Sequence, residues 1–188
     1  MKIKFDGMLL GALFATIFYS ASYPCIHKVI MENISDKLIA LSQITNCLSI
    51  VFFGFIWNRQ KILFRYFPIF CFCEIILTFS LTIYVITTNY IRAYYNIADT
   101  LIFAIVSRNI ICGGNKLKTL MYSDDERAKY DNNESSCYAI ATIIGSLISM
   151  ITNSGFVFML WVATIGNAID NMFYLYTYNK IRKGENEN

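Results

Sequence analysis

Four ionisable residues, Glu74, Asp99, Arg108 and Asp170, lie inside stretches that otherwise read as membrane-spanning helices. A charge in hydrocarbon is costly, so such residues usually face a protein interior or a water-filled path. The chemistry open to them is proton binding, exchange with a cation, or a structural hydrogen bond to a neighbouring helix. Glu74 and Asp170 are the deeper pair, because apolar sequence extends well to either side of each. Asp99 and Arg108 are nine positions apart on one span. Helical geometry sets them on nearly opposite faces, about 13 Å apart along the axis. They do not pair with each other. Each meets another helix or a headgroup layer, which the long Arg108 side chain reaches by snorkelling. Asn46 with Gln43, and Asn167 with Asn171, either line a polar route or hydrogen-bond between helices.

The elements that hold these residues follow from composition. Of 188 residues, 56% are hydrophobic and only 15% are charged, with a mean hydropathy of +0.46. Soluble domains carry about 25% charged residues, and so short a supply does not cover a water-facing surface. The apolar runs predict an all-α, polytopic membrane protein with six transmembrane helices. Their approximate bounds are 8–31, 38–57, 66–88, 97–112, 134–151 and 156–178. They form one membrane domain over 1–183, followed by a disordered polar tail over 184–188. Lys2 and Lys4 precede the first run, but no small-residue cleavage site follows, so this helix is expected to be retained. Gly113–Gly114 is expected to end or bend the fourth span. SDDER at 123–127 reads as a helix start, capped by Ser123 with three acids in the first turn.

Charge sets the orientation. With both termini in the cytoplasm, twelve of the sixteen basic residues fall in inner segments, three in outer segments, and Arg108 within a span. That bias obeys the positive-inside rule, so the expected location is the cell membrane, with an even number of crossings. No nucleophile elbow, phosphate-binding glycine loop or metalloprotease motif is present in the sequence. The six cysteines sit mostly in apolar helical stretches, where they act as small hydrophobes. No enzyme activity, metal, cofactor or nucleic-acid partner is expected.

The segment GFIWNRQKILFR at 54–65 resembles the inner loop of major facilitator superfamily transporters. Gly54 and Arg59 match that pattern. Asn58 stands where the family has Asp, and Lys61 where it has a second Gly. RNIICGG at 108–114 is similar to the family's fourth helix, and Arg108 is the charged residue that carries over. The resemblance covers one six-helix half of a twelve-helix transporter. It implies two such bundles around a central route, so the chain would pair with itself or with a second membrane subunit in the bilayer. The cargo would be a small solute or drug. Gly54, Asn58 and Arg59 would then gate the inner loop, and Glu74, Asp99, Arg108, Asp170, Asn46 and Asn167 would shape the substrate or proton path. Two other readings stand beside this one. Gly11 and Ala15 in the first helix fit the docking contacts of a substrate-capturing subunit of a vitamin importer. A lone half also fits a nontransport immunity or assembly protein.

Overall fold

A computed structural model describes residues 7–59, 61–93, 98–152 and 154–186. Every element among them is helical. Helix α1 spans Gly7–Asn33 and continues past Pro24, and α2 spans Asp36–Arg59. A 3-10 helix, Lys61–Tyr66, leads into α3, Phe67–Thr88, whose first turn holds Pro68. Proline is tolerated there because that turn has no hydrogen bond to lose. Asn89 ends α3 in the left-handed region, with φ 59°, a conformation that asparagine adopts more readily than most residues.

A ten-residue π-helix, Ala98–Ser107, runs into α4, Arg108–Met121. The helix therefore passes through Gly113–Gly114 instead of ending there. Helix α5 covers Asp124–Ile151. Its start is the capped one that SDDER predicts: the Ser123 backbone N–H and hydroxyl both donate to Glu126 Oε2, at 3.2 and 3.1 Å. The segment 115–133 is thus mostly helical and turns near Tyr122–Ser123. Helix α6 spans Phe156–Asn186 and extends two turns beyond the expected end of the last span.

Among the described residues, five helical segments are long and apolar enough to cross a membrane, one in each of α1, α2, α3, α5 and α6. The stretch expected as span four, 97–112, is not among them; there the described chain is the π-helix followed by the start of α4. Side chains point outward accordingly: Val51 is 72% exposed, Met150 83% and Ile151 84%. Apolar surface on this scale marks a membrane-facing protein, and the chain is a multi-pass membrane protein.

The chain forms two compact units, Met1–Pro24 with Gly114–Asn188, and Cys25–Gly113. In the first unit, glycines let helices close on one another. A methyl group on Gly11 would lie 2.8 Å from Phe173 Cβ, and one on Gly166 would lie 2.7 Å from Phe18 Cβ. These contacts make α1 and α6 antiparallel, with the start of α1 beside the end of α6. Gly145 of α5 is tighter still, since a methyl there would stand 2.5 Å from the Ile17 carbonyl oxygen of α1. In the second unit, α2 and α3 both pack on the π-helix, with Leu77, Leu81 and Ile102 between α3 and the π-helix. Arg92 Nε donates to the Asn33 carbonyl at 3.1 Å, which holds the turn after α1 beside the turn after α3.

Backbone cannot yield as a side chain does, so Gly145→Ala is expected to destabilise the fold by about 1–3 kcal/mol, the usual cost of overpacking. Exposed Ser146→Ala is expected to leave stability unchanged. Unfolding of both variants in detergent micelles measures the difference.

Candidate functional site

Helix α6 carries Asn167, Asp170, Asn171, Tyr174, Thr177 and Tyr178, a spacing of three, four and seven that aligns them on one face. That face turns inward: Asn171 is 1% exposed, Tyr178 3% and Thr177 4%. Asn171 Nδ2 donates to the Asn167 carbonyl at 3.1 Å and to Asn167 Oδ1 at 3.4 Å. On α5, Tyr130, Glu134 and Tyr138 recur every fourth residue, in line with buried Ala141 and Gly145. The two lines meet. Asp170, Tyr138, Glu134 and Tyr130 all lie within electrostatic reach of the Tyr174 hydroxyl. Gly114 makes room for that phenol, because a methyl at Gly114 would stand 2.8 Å from Tyr174 Cε1.

One turn beyond Gly114, Lys118 closes the seam at the α4–α5 end. Its ammonium lies 2.5 Å from Glu134 Oε2, 3.6 Å from Asp131 Oδ1 and 5.1 Å from the centre of the Tyr130 ring. Tyr122 packs on Tyr130 with ring centres 5.0 Å apart. The side chains of Lys118 and Glu134 are only 12% and 14% exposed, so each charge depends on the other. The result is a continuous polar seam along α4, α5 and α6 within the first unit. Its chemistry is that of hydrogen-bonded phenols, amides and carboxylates with one internal cation.

Measured against known protein families, curated proteins and solved structures, the chain matches none.

The second unit holds a separate polar point. Glu74 on α3 is 3% exposed and accepts a hydrogen bond from Ser107 Oγ. Thr78 Oγ1 donates to the Glu74 carbonyl at 2.6 Å, and Thr82 Oγ1 to the Thr78 carbonyl at 2.8 Å. Ser107 is the last residue of the π-helix, and π-helical turns are rare and concentrate at functional positions. Arg108 follows directly. Its Nε is buried and meets no acceptor among the described residues. Ten π-helical residues precede Arg108 and α4 runs on to Met121, so it stands mid-helix.

The other predicted residues divide by unit. Asn46 is half-buried on α2, and Gly54 on the same helix has open space above it. The side chains of Asn58, Arg59 and Asp99 lie outside the described residues. Asp170 and Asn167 share the α6 face in the first unit, while Glu74, Arg108 and Asn46 belong to the second. Lys118, Glu134, Tyr138, Tyr174 and Ser107 join the site without having been singled out from the sequence. The four-residue repeat of Tyr130, Glu134 and Tyr138 was the available signal. Placing the start of a span at Glu134 hid it, because a charge at a helix end reads as a headgroup contact.

Removing one partner of a buried pair leaves the other charge stranded, at a cost of about 3–5 kcal/mol. Lys118→Met is therefore expected to destabilise the protein by that order. Lys118→Met combined with Glu134→Leu is expected to recover most of the loss. Unfolding of the two single variants and the double variant in micelles measures the coupling.

Proposed function

We propose that the chain is a half-size, secondary-transporter-like protein of the cell membrane that moves a small solute after pairing with a second copy. In this reading it crosses the membrane six times and resembles one half of a major facilitator fold, with both termini in the cytoplasm. The observation that carries it is the polar seam of the first unit: Asn167, Asp170, Asn171 and Tyr174 on one face of an otherwise apolar helix, met by Glu134 and Tyr138. Ionisable residues are rare within membrane helices and mark pathways when they face inward. Glu74, held by Ser107 next in sequence to Arg108, is a separate inward-facing polar point of the second unit. The 98–121 helix is the sixth crossing in this reading, with Arg108 Nε and Lys118 buried in protein.

Topology supports the orientation. The first unit brings the start of α1 beside the end of α6, which agrees with termini on one side. The second unit holds the two turns assigned outside together through Arg92 and Asn33. The space beside Gly11 is filled by Phe173 of the same chain, which weighs against the docking contact that the vitamin-importer reading gives that glycine.

Reconstitution into proteoliposomes tests the proposal. With a panel of labelled organic solutes and an imposed pH gradient, at least one solute is expected to cross. Asp170→Asn and Glu74→Gln are each expected to lower its initial rate by about tenfold or more. Folded, paired protein that moves no solute, or the same rate in both variants, contradicts transport.

A further inference from the structure

Arg108 is a cation that the fold partly encloses and does not neutralise. It stands at the junction of the π-helix and α4. Its Nε is buried, and the side chain makes no hydrogen bond and no ion pair among the described residues. Water does not reach Nε, so the inner edge of the guanidinium has lost its hydration and gained no acceptor in return. A polar group in that state costs free energy until an acceptor meets it, and a charged one costs more. The residue as a whole is partly exposed, so the rest of the guanidinium stays open to a ligand.

The neighbouring polar groups are committed elsewhere. Glu74 accepts from Ser107, the residue before Arg108, and is 3% exposed. It does not pair with Arg108. Asn109, the residue after, is 1% exposed and donates its amide to the Ile105 carbonyl at 2.6 Å. Lys118 shows the contrast, since that enclosed cation has Glu134 and Asp131 beside it. The half-buried thiol of Cys112, one turn along α4, lies within electrostatic reach of Arg108.

We infer that Arg108 is the fixed charge of an oxyanion site in the second unit, which binds a carboxylate or phosphate group at the open part of the guanidinium. A planar fork of N–H donors fits two oxygens of one such group. Burial of the inner edge strengthens the attraction, because charges interact more strongly where water is excluded. The oxyanion is carried by a soluble molecule or by a lipid headgroup, and the chemistry of the contact is the same. The inference goes beyond the proposed function, and it holds whether or not a solute crosses the membrane.

Cys112 supplies the reporter. In maltoside micelles, a chain with Cys25, Cys47, Cys71, Cys73 and Cys137 replaced by Ala is labelled with a negatively charged and a positively charged methanethiosulfonate. The negative reagent is expected to react several-fold faster, and Arg108→Gln is expected to erase that preference. An uncharged methanethiosulfonate then reads occupancy. Benzoate or inorganic phosphate is expected to slow its reaction several-fold and to raise the midpoint of thermal unfolding, where chloride at matched ionic strength does neither. Arg108→Gln is expected to lose both effects. Arg108→Lys keeps the charge without the fork and is expected to weaken them. Labelling in phosphatidylglycerol nanodiscs separates the sources. Slowing by a soluble anion in micelles assigns the site to a soluble oxyanion, and Arg108-dependent slowing in the nanodiscs alone assigns it to a lipid phosphate. If the alanine replacements prevent folding, peptide mapping of the labelled native chain reads the same rates at Cys112. If Arg108→Gln does not fold, unchanged protection in Arg108→Lys overturns the inference. Equal effects of chloride, effects that persist in Arg108→Gln, or neither protection nor a thermal shift with any of these anions also overturn it. Protection in protein that moves no solute leaves the site standing and contradicts transport alone.

Discussion

Hydrocarbon offers no hydrogen-bond partner, so each polar group in a membrane helix must find one inside the protein or draw in water. That constraint organises this molecule. Glu74 is held by Ser107 at the end of a π-helix. Lys118 is enclosed by Glu134, Asp131 and the ring of Tyr130. Asn171 turns back onto Asn167 one helical turn away. In each case a polar side chain on one helix fixes the rotation of that helix, because any other rotation would deliver it to lipid.

The glycines are the counterpart of those polar groups. Lys118 can reach Glu134, and Tyr174 can sit beside α4, only if the helices approach closely. Gly114 permits the second contact, and Gly11, Gly145 and Gly166 bring α1 against α6 and α5 in the same unit. In the second unit Gly113 does the same for Phe67, a ring with no exposed surface. Small residues set the helix spacing and polar residues set the rotation. Lipid-facing side chains such as Leu48, Met150 and Ile151 contribute length and apolarity without specifying which helix meets which.

Much of this organisation was legible in the sequence. Five of the apolar runs appear as helices, the first three within about two residues of their expected bounds, while α5 starts at Asp124 rather than near 134 and α6 runs to Asn186 rather than 178; the Ser123 cap is where its four-residue signature puts it. Glu74 reads as buried because its sequence neighbours are apolar, and it is buried. The π-helix left no trace, since ADTLIFAIVS has the composition of any membrane helix and its register depends on α2 and α3 packed against it. Gly113–Gly114 reads as a stop by propensity, yet both glycines serve space rather than a turn, and space is a property of neighbours. Lys118 and Glu134 were concealed for a related reason. They lie in or beside a polar stretch that reads as solvated, and only the fold of α4 against α5 makes them a buried pair.

The claim at the centre of this account is that the polar face of α6 is a path reached by water, not merely a set of bonds that hold helices together. Substituted-cysteine accessibility along 164–178, with a membrane-impermeant maleimide applied to oriented vesicles from each side in turn, tests it most directly. The account predicts labelling at 167, 170, 171 and 174, and protection at 165, 172 and 176, whose native side chains, Ile165, Met172 and Tyr176, are exposed on the apolar side of the helix. Protection of all four seam positions from both sides, or labelling without helical periodicity, would contradict it.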